Sequence, residues 1–514
     1  MRVGRWPIYP FLAAVYPIFA LAASNSQERI RPGDLTKPIG IALLAAVVAW
    51  LLARLVSPDR DRRAFLAFLG VGIFSGLGYG VDVWGWRVGG AGVASILILV
   101  PIAVTAILLR ATRVSLQPVT KFFTLVFIIL VGWTGVSFLV HFFKPRPRIT
   151  LGDLPAAAAS VRDTSDVRPN LFLIVLDKYA GHHSLSSTFG FDNTPFEETL
   201  RRQKFFVPKA PRANYVQTFL ALAALLNWQY LDDVTRQVGA DSGDWSIVYP
   251  LIEDDRTWRL LKSLGYRFVF LPSGLAATDH NDSADVQIPD PSQMSHELEA
   301  IWLRGTVLGP LLDAVCPKLG CSSPNFPYVP EPAALLESKF DTIPAFAEGS
   351  QPVFVLAHLI VPHEPYIFDK NCGHRNPYWP AVDTGREEAA VKAAYVAQVQ
   401  CVNKRVESLV GAIIKRSSRR VVIILQADHG HGLFGRSVPP WTQVDKKGVF
   451  DRTDIFAAYY LPDAPSGLMS DSVGPVNAMR AVLRHYYGLD LAPLPEQTYW
   501  SSSDRPYNFT RVSP

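Results

Sequence analysis

The pattern of apolar and polar positions divides the chain near residue 145. Before that point five stretches are long and almost free of charge: Trp6 to Ala23, Pro38 to Val56, Ala64 to Val81, Val88 to Leu109 and Phe122 to Phe143. Each approaches the roughly 20 residues that cross a bilayer. They crowd together with only short charged connectors, which argues against the buried helices of a soluble protein. The pattern therefore predicts an α-helical membrane anchor of about five spans over residues 1–143.

Residues 144–169 carry Pro145, Pro147 and Pro155, an alanine run and scattered charges, and read as a linker leaving the membrane. Beyond it, in residues 170–514, the pattern changes. Short runs rich in Val, Ile, Leu and Phe recur at Leu171 to Leu176, Phe268 to Leu271, Val353 to Leu359, Val421 to Leu425 and Ile455 to Leu461. Such continuous runs suit strands covered on both faces. Amphipathic segments lie between them at Asp255 to Leu264, Ala389 to Ile414 and Val476 to Tyr487. The alternation predicts an α/β sandwich around a mainly parallel central sheet, with ligands gathering at the carboxyl ends of its strands. At 514 residues the chain exceeds the about 100 to 200 of a single core, in keeping with separate units.

Charge adds a topology. Arg2 and Arg5 precede the first run, Arg54, Arg60, Arg62 and Arg63 flank the end of the second, and Arg110, Arg113 and Lys121 follow the fourth. Basic loops stay in the cytoplasm, so an inside amino terminus and five crossings place residues 144–514 outside, in the periplasm or extracellular space. Ala20-Leu21-Ala22 also fits a signal-peptidase site, and cleavage there would leave the same exterior location. The net charge of +5 is modest and partly membrane-flanking, and the soluble part has no long basic run that would suggest a nucleic-acid surface. Cys316, Cys321, Cys372 and Cys401 all fall in the exterior part, where disulfides form. Sequence proximity favours Cys316 with Cys321 and Cys372 with Cys401.

Several predicted strands end in polar residues. Leu171 to Leu176 runs directly into Asp177. Val421 to Leu425 runs into Gln426-Ala427-Asp428-His429-Gly430-His431-Gly432. Adjacent Asp and His offer a hard oxygen and an imidazole nitrogen, a donor set for zinc or manganese, and the glycines let the backbone bend sharply. Between these segments lies Arg212-Ala213-Asn214-Tyr215-Val216-Gln217-Thr218, followed by the apolar run Phe219 to Leu226. Thr218 thus falls at a helix amino terminus, where threonine commonly serves as a cap and where an anion is favoured. Beside a metal the same hydroxyl gains a second role, as a nucleophile towards phosphorus.

Taken together, Pro169-Asn170, Leu176-Asp177, the Asn-Tyr-x-x-Thr segment ending at Thr218, the stretch from His358 to Pro365 and Ala427-Asp428-His429-Gly430 resemble the sulfatase-like branch of the alkaline phosphatase superfamily. Phe191-Asp192-Asn193 and Asp454 to Tyr460 are similar to supporting segments of its membrane-bound members, and the resemblance covers residues 169–465. It implies that Asp177, Asp428 and His429 hold one divalent metal, zinc or manganese, with a second metal left open. Thr218 would be both nucleophile and fourth ligand. His363 and His358 would bind phosphate or protonate the leaving group, and His431 would contact substrate or support the site. Around Thr218 there is no Cys/Ser-x-Pro-x-Arg context, which speaks against a formylglycine sulfatase.

An anchor joined to such a domain looks like lipoteichoic acid synthases and phosphoethanolamine transferases. The resemblance then implies a membrane phospholipid donor and an envelope glycan or lipid acceptor, with phosphoglycerol or phosphoethanolamine as the group transferred. Asp177 stands where those transferases usually have Glu, and Lys178 where a small residue is common. A membrane-anchored phosphodiesterase or phosphatase is the alternative reading. A non-catalytic binding or assembly protein on the same scaffold is the other.

Overall fold

The structure is a computed structural model. It describes residues 6–25, 30–83, 105, 114–143, 149–151, 168–288, 297–309, 311–312, 315, 331–378, 388–433 and 438–513. The chain forms two compact units, Met1–Pro145 with Ser295–Tyr328, and Arg146–Met294 with Val329–Pro514.

In the first unit, helices α1 (Tyr9–Ser24), α2 (Thr36–Val56), α3 (Arg60–Val83) and α4 (Gln117–Phe143) coincide with four of the five apolar runs. The run Val88 to Leu109 lies outside the described residues. Among the described residues, two segments are long and apolar enough to cross a membrane, Pro32–Val56 at 25 residues and Gln117–Phe143 at 27. Both turn large apolar side chains outward, including Leu44, Leu52 and Leu55 on α2 and Phe122, Ile129 and Trp133 on α4. A helix apolar on every side is stable only where its surroundings are apolar too. α1 is equally apolar but has 16 residues.

The helix Glu297–Gly305 belongs to this unit, although the sequence placed it inside a continuous domain over 170–514. Its Leu298, Trp302 and Leu303 share one face and are buried with Ile18, Ala42 and Val71. Leu298 and Trp302, four residues apart, lie one above the other, and Leu303 flanks them.

In the second unit, strands β1 (Asn170–Leu176), β2 (Phe205–Phe206), β3 (Arg267–Leu271), β4 (Val286–Gln287) and β5 (Val353–Leu359) precede a hairpin of β6 (Tyr366–Phe368) and β7 (His374–Tyr378). Then come β8 (Val421–Gln426), β9 (Ala457–Tyr460) and a ribbon of β10 (Thr498–Trp500) with β11 (Thr510–Val512). Seven of these form one sheet in the order β2-β9-β8-β1-β5-β3-β4. β1 lies at its centre, parallel to β5 and β8.

The sheet is mixed. β9, expected within a mainly parallel sheet, runs antiparallel to both β8 and β2. Its first residue Ala457 pairs with Gln426, the last residue of β8, so the chain re-enters at the end it has just left and must run back.

Around the sheet pack α5 (Thr218–Asn227), α6 (Arg256–Ser263), α7 (Ala333–Thr342), α8 (Glu388–Arg416), α9 (Lys446–Thr453) and α10 (Pro475–Tyr487). Side chains alternate across β1, which is buried along its whole length. Leu171, Leu173 and Val175 join one core with α5, α6 and α10, while Phe172, Ile174 and Leu176 join a second with α7 and α8. This two-sided burial is why the strand reads as a continuous apolar run.

The expected disulfide between Cys372 and Cys401 is present, with an S–S distance of 2.04 Å. Cys316 and Cys321 lie outside the described residues, as does most of the 144–169 linker.

Candidate metal and phosphoryl site

Two central strands end side by side and carry the site. After β1 the backbone N–H of Asp177 donates to the Leu359 carbonyl at 3.0 Å, still in the ladder. The next residue breaks away. Lys178 has a φ of 64°, a left-handed conformation that side chains other than glycine rarely adopt. There its N–H donates to Asp428 Oδ1 at 3.0 Å, tying the end of β1 to the turn after β8. The carbonyl of Lys178 accepts from the Tyr395 hydroxyl at 2.9 Å.

Below this turn Tyr179 is held by Asn193, whose own side chain accepts from Asn403 at 2.8 Å. The Phe191-Asp192-Asn193 segment thus supports the turn from beneath.

After β8, Gly430 donates its N–H to the Arg452 carbonyl at 2.8 Å. A Cβ there would come within 2.2 Å of the Asp451 carbonyl oxygen, so the close approach of the two chains requires glycine. Asp428 and His429 are thereby fixed opposite Asp177. One donor atom from each of the three lies within 4.8 Å of the others, and all three residues are buried.

Polar atoms in this cluster lack partners. Both carboxylate oxygens of Asp177, and Oδ2 of Asp428, are buried without a hydrogen bond. Two facing carboxylates without donors are costly unless a cation lies between them. His429 is set up in the same sense: its Nδ1 donates to the Gly430 carbonyl at 3.0 Å, which leaves the Nε2 lone pair facing the cluster. That nitrogen is 3.2 Å from Asp428 Oδ2 and 3.1 Å from the Thr218 hydroxyl. A mixed oxygen and nitrogen set of this kind fits a divalent metal such as zinc or manganese.

Titration follows the same geometry. Burial and the Arg452 charge push His429 well below the ordinary histidine range, so its ring is neutral and Nε2 carries a lone pair. For Asp428, burial and then the Asp177 charge push the carboxyl up to about 6. Burial acts on Asp177 in the same direction, but the neighbouring His363 and then His358 outweigh it and hold Asp177 below the ordinary range.

Thr218 is the first residue of α5, preceded by the extended Gln217. It is partly exposed while the three acidic and imidazole donors are buried, so a substrate approaches from its side. The free N–H groups of that helix end add a partial positive charge.

The remaining histidines separate into two kinds. His358 is fully buried in β5, with Nε2 3.3 Å from Asp177 Oδ2 and Nδ1 2.8 Å from the Thr278 hydroxyl. His431 is also buried, its Nδ1 accepting from the Leu433 N–H at 3.1 Å and its Nε2 donating to the Tyr366 hydroxyl at 2.9 Å. Burial and the neighbouring Lys178 push its pKa well down, so it is neutral. Both therefore sit behind the cluster: His431 has both nitrogens engaged, whereas His358 Nε2 faces Asp177 without a hydrogen bond. His363 is different: its side chain is 23% exposed and its Nδ1 contacts the Glu364 carbonyl. Of the three, it is the one open to a substrate.

Two further features carried little weight in the sequence, where Arg452 reads as an ordinary polar residue that could contact substrate and Lys178 as a departure from the family pattern. Arg452, at the end of α9, is buried with Nε donating to the Val216 carbonyl at 2.9 Å and Nη1 to the His431 carbonyl at 3.2 Å. Its Nη2 donates to His429 Nε2 at 3.2 Å, which brings a guanidinium into the cluster. The polar run Asp451-Arg452-Thr453-Asp454 immediately before buried β9 was the available signal. Lys178 Nζ, buried, pairs with both Glu364 oxygens at 2.7 and 2.8 Å. Burial lowers the pKa of Lys178, which its Glu364 partner opposes.

No protein-family model matches this sequence, and no curated protein matches it. Among solved structures the chain is similar to the C-terminal periplasmic domain of EcEptC from Escherichia coli, in complex with Zn. The identity there is 11% and the TM-score 0.43, over 70% of this chain and 96% of that one. It is also similar to the integral membrane protein lipooligosaccharide phosphoethanolamine transferase A from Neisseria meningitidis. That pair shares 13% identity at a TM-score of 0.39, over 95% of this chain and 98% of the other. A protein in the alkaline phosphatase superfamily from Vibrio parahaemolyticus is similar at 18% identity and a TM-score of 0.39, covering 68% of this chain and 75% of that one.

Proposed function

We propose that the chain is a membrane-anchored, metal-dependent phosphotransferase that moves a phospholipid head group, phosphoglycerol or phosphoethanolamine, to a glycan or lipid hydroxyl outside the cytoplasm. The observation that carries this reading is the conjunction of unpartnered Asp177 and Asp428 carboxylates with a Thr218 hydroxyl 3.1 Å from His429 Nε2. Asp177, Asp428, His429 and Thr218 would hold the metal. When bound, such a cation lowers the cost of ionising a hydroxyl and offsets charge on phosphoryl oxygens.

The chain's own groups account for the rest. Thr218 gives its proton to solvent and its oxygen forms a bond to phosphorus, while the bond from phosphorus to the diacylglycerol oxygen breaks. His363 stands on the open side and supplies the proton that the departing oxygen takes up. Arg452 and the amino end of α5 face the negative phosphoryl oxygens. An acceptor hydroxyl then attacks phosphorus and passes its proton to His363, left deprotonated by the first step, while the bond from phosphorus to Thr218 breaks and the Thr218 oxygen takes back a proton from solvent. Lys178 and Glu364 neutralise one another and keep the turn beside Asp177 fixed.

An anchor of about five spans keeps this chemistry beside a lipid confined to the bilayer. The same arrangement also supports a hydrolase, in which water takes the acceptor's place; Asp177, where the resembled transferases usually have Glu and hydrolytic phosphodiesterases more often Asp, is the departure that favours that second reading.

Incubation of the purified full-length protein with phosphatidylethanolamine and with phosphatidylglycerol tests the proposal. Diacylglycerol should appear together with a mass increase on the Thr218 peptide equal to the head-group phosphate. The variant Thr218→Ala should fold, reach the membrane and lose turnover. Unchanged turnover in that variant sinks the nucleophile assignment, and free head-group phosphate without any acceptor selects the hydrolase.

A further inference from the structure

A concave feature lies on the same unit, with Ser501 and Ser502 of its wall bonded to Gln217. It is an open pocket of ≈ 330 Å³ whose lining includes Trp441, Trp500, Ser502, Asp504, Arg505 and Asn508. That volume falls at the lower end of small-molecule sites, which run from about 300 to 1,000 Å³. Trp441 is 38% exposed, and among the described residues outside the helical unit it is the one large hydrophobic side chain left exposed. The neighbouring Trp500 is almost wholly buried, its ring 6.2 Å from that of Trp441 at an angle of 60°.

The walls are fixed in place. Trp500 Nε1 donates to the Pro439 carbonyl at 2.9 Å, and Ser503 is bonded to Val438 through both its N–H and its hydroxyl. Trp500 packs with Val216, Val438, Val449 and Val512. The link to the chemistry is direct. Gln217, adjacent to Thr218, donates from Nε2 to the Ser501 carbonyl at 3.0 Å, the Ser501 hydroxyl at 3.1 Å and the Ser502 carbonyl at 3.1 Å. One side chain therefore joins the pocket wall to the residue before the nucleophile.

We infer that this pocket binds a sugar ring and is the acceptor subsite. A pyranose has an apolar face of C–H groups and a rim of hydroxyls. An exposed indole face complements the first, and carboxylate, amide, guanidinium and hydroxyl groups at the mouth complement the second. An acyl chain would leave those polar groups without partners, and a free phosphate would make no use of the indole. Asp504 and Asn508 are exposed at the mouth, where both accept hydrogen bonds from sugar hydroxyls. The acceptor role rests on the proposed transferase reading, whereas sugar binding by itself does not.

Titration calorimetry of the full-length protein in detergent with cellobiose and with chitobiose reads the binding directly. At least one of these neutral disaccharides should bind saturably to the wild type, and equally to Thr218→Ala. Trp441→Ala should weaken that binding about tenfold, the loss of one aromatic face, while Trp441→Phe stays close to wild type. In the transfer assay Trp441→Ala should raise the KM for a glycan acceptor and leave labelling of Thr218 by phospholipid unchanged. Absence of binding to the wild type, or equal binding by Trp441→Ala, overturns the inference. Absence of Thr218 labelling overturns the transferase reading and leaves the sugar titration standing.

Discussion

Two buried acidic constellations lie in the second unit, and they are built on opposite terms. In one, Glu331 has every requirement met. Its Oε2 accepts from the Ile360 N–H at 2.8 Å, and its Oε1 takes a charge-assisted bond from Lys339, which also donates to the Pro272 carbonyl. In the other, Asp177 and Asp428 face each other, with both oxygens of Asp177 and Oδ2 of Asp428 lacking any hydrogen bond. Burial is nearly complete in both cases. The difference is the partner: the first pair is closed by the chain itself, and the second is completed only by something the chain does not encode. A closed ion pair contributes to structure, and an open one marks a site.

The largest effect should come from the open site. Asp177→Ala should lower turnover by about a thousandfold or more, abolish zinc or manganese retention, and leave the melting temperature of the chelated protein unchanged or raised. Retention of metal with full turnover would remove Asp177 from the ligand set.

The closed pair should answer in the reverse manner. Glu331→Gln strands the buried Lys339 and should cost about 3 to 5 kcal/mol in denaturant unfolding of the second unit. Turnover per folded molecule should stay near wild type; a selective loss of turnover without loss of stability would show that the two constellations are not distinct.

The smallest effect concerns protons. In chelated protein, burial and the Asp177 charge hold Asp428 up at about 6. The unfolded chain gives up the same proton near about 4. The folded state is then the tighter proton binder, so the stabilisation is complete below about pH 4 and is lost as pH rises through about 6. The wild type should lose roughly 2 kcal/mol more than Asp428→Asn over that interval. Equal pH slopes for the two proteins would show that Asp428 does not titrate there.

Much of this was legible along the chain. Central strands advertise themselves as continuous apolar runs because both faces are covered, and β1, β3, β5 and β8 fall on the predicted segments. Asp177 and Asp428-His429 were conspicuous because ionisable residues directly behind a buried strand are expensive without a purpose. Other features had no local signature. Lys178 and Glu364 are 186 residues apart, and Gln217 and Ser501 are 284 apart. Either partner alone reads as an ordinary polar residue. The same holds for Arg452, whose importance comes from β9 returning antiparallel beside β8.

The sequence by itself determined the alternation of covered strands and helices, the apolar helices before residue 145, and the polar residues that follow β1 and β8. These depend on periodicity and burial, which are properties of neighbours along the chain. Tertiary contacts alone decide that Glu297–Gly305 packs with the helical unit, that His358 and His431 stand behind Asp177, Asp428 and His429, and that two tryptophans line a pocket tied to Gln217. Those are contacts across the sheet order and between distant loops, and no local pattern encodes which distant partner a side chain will meet.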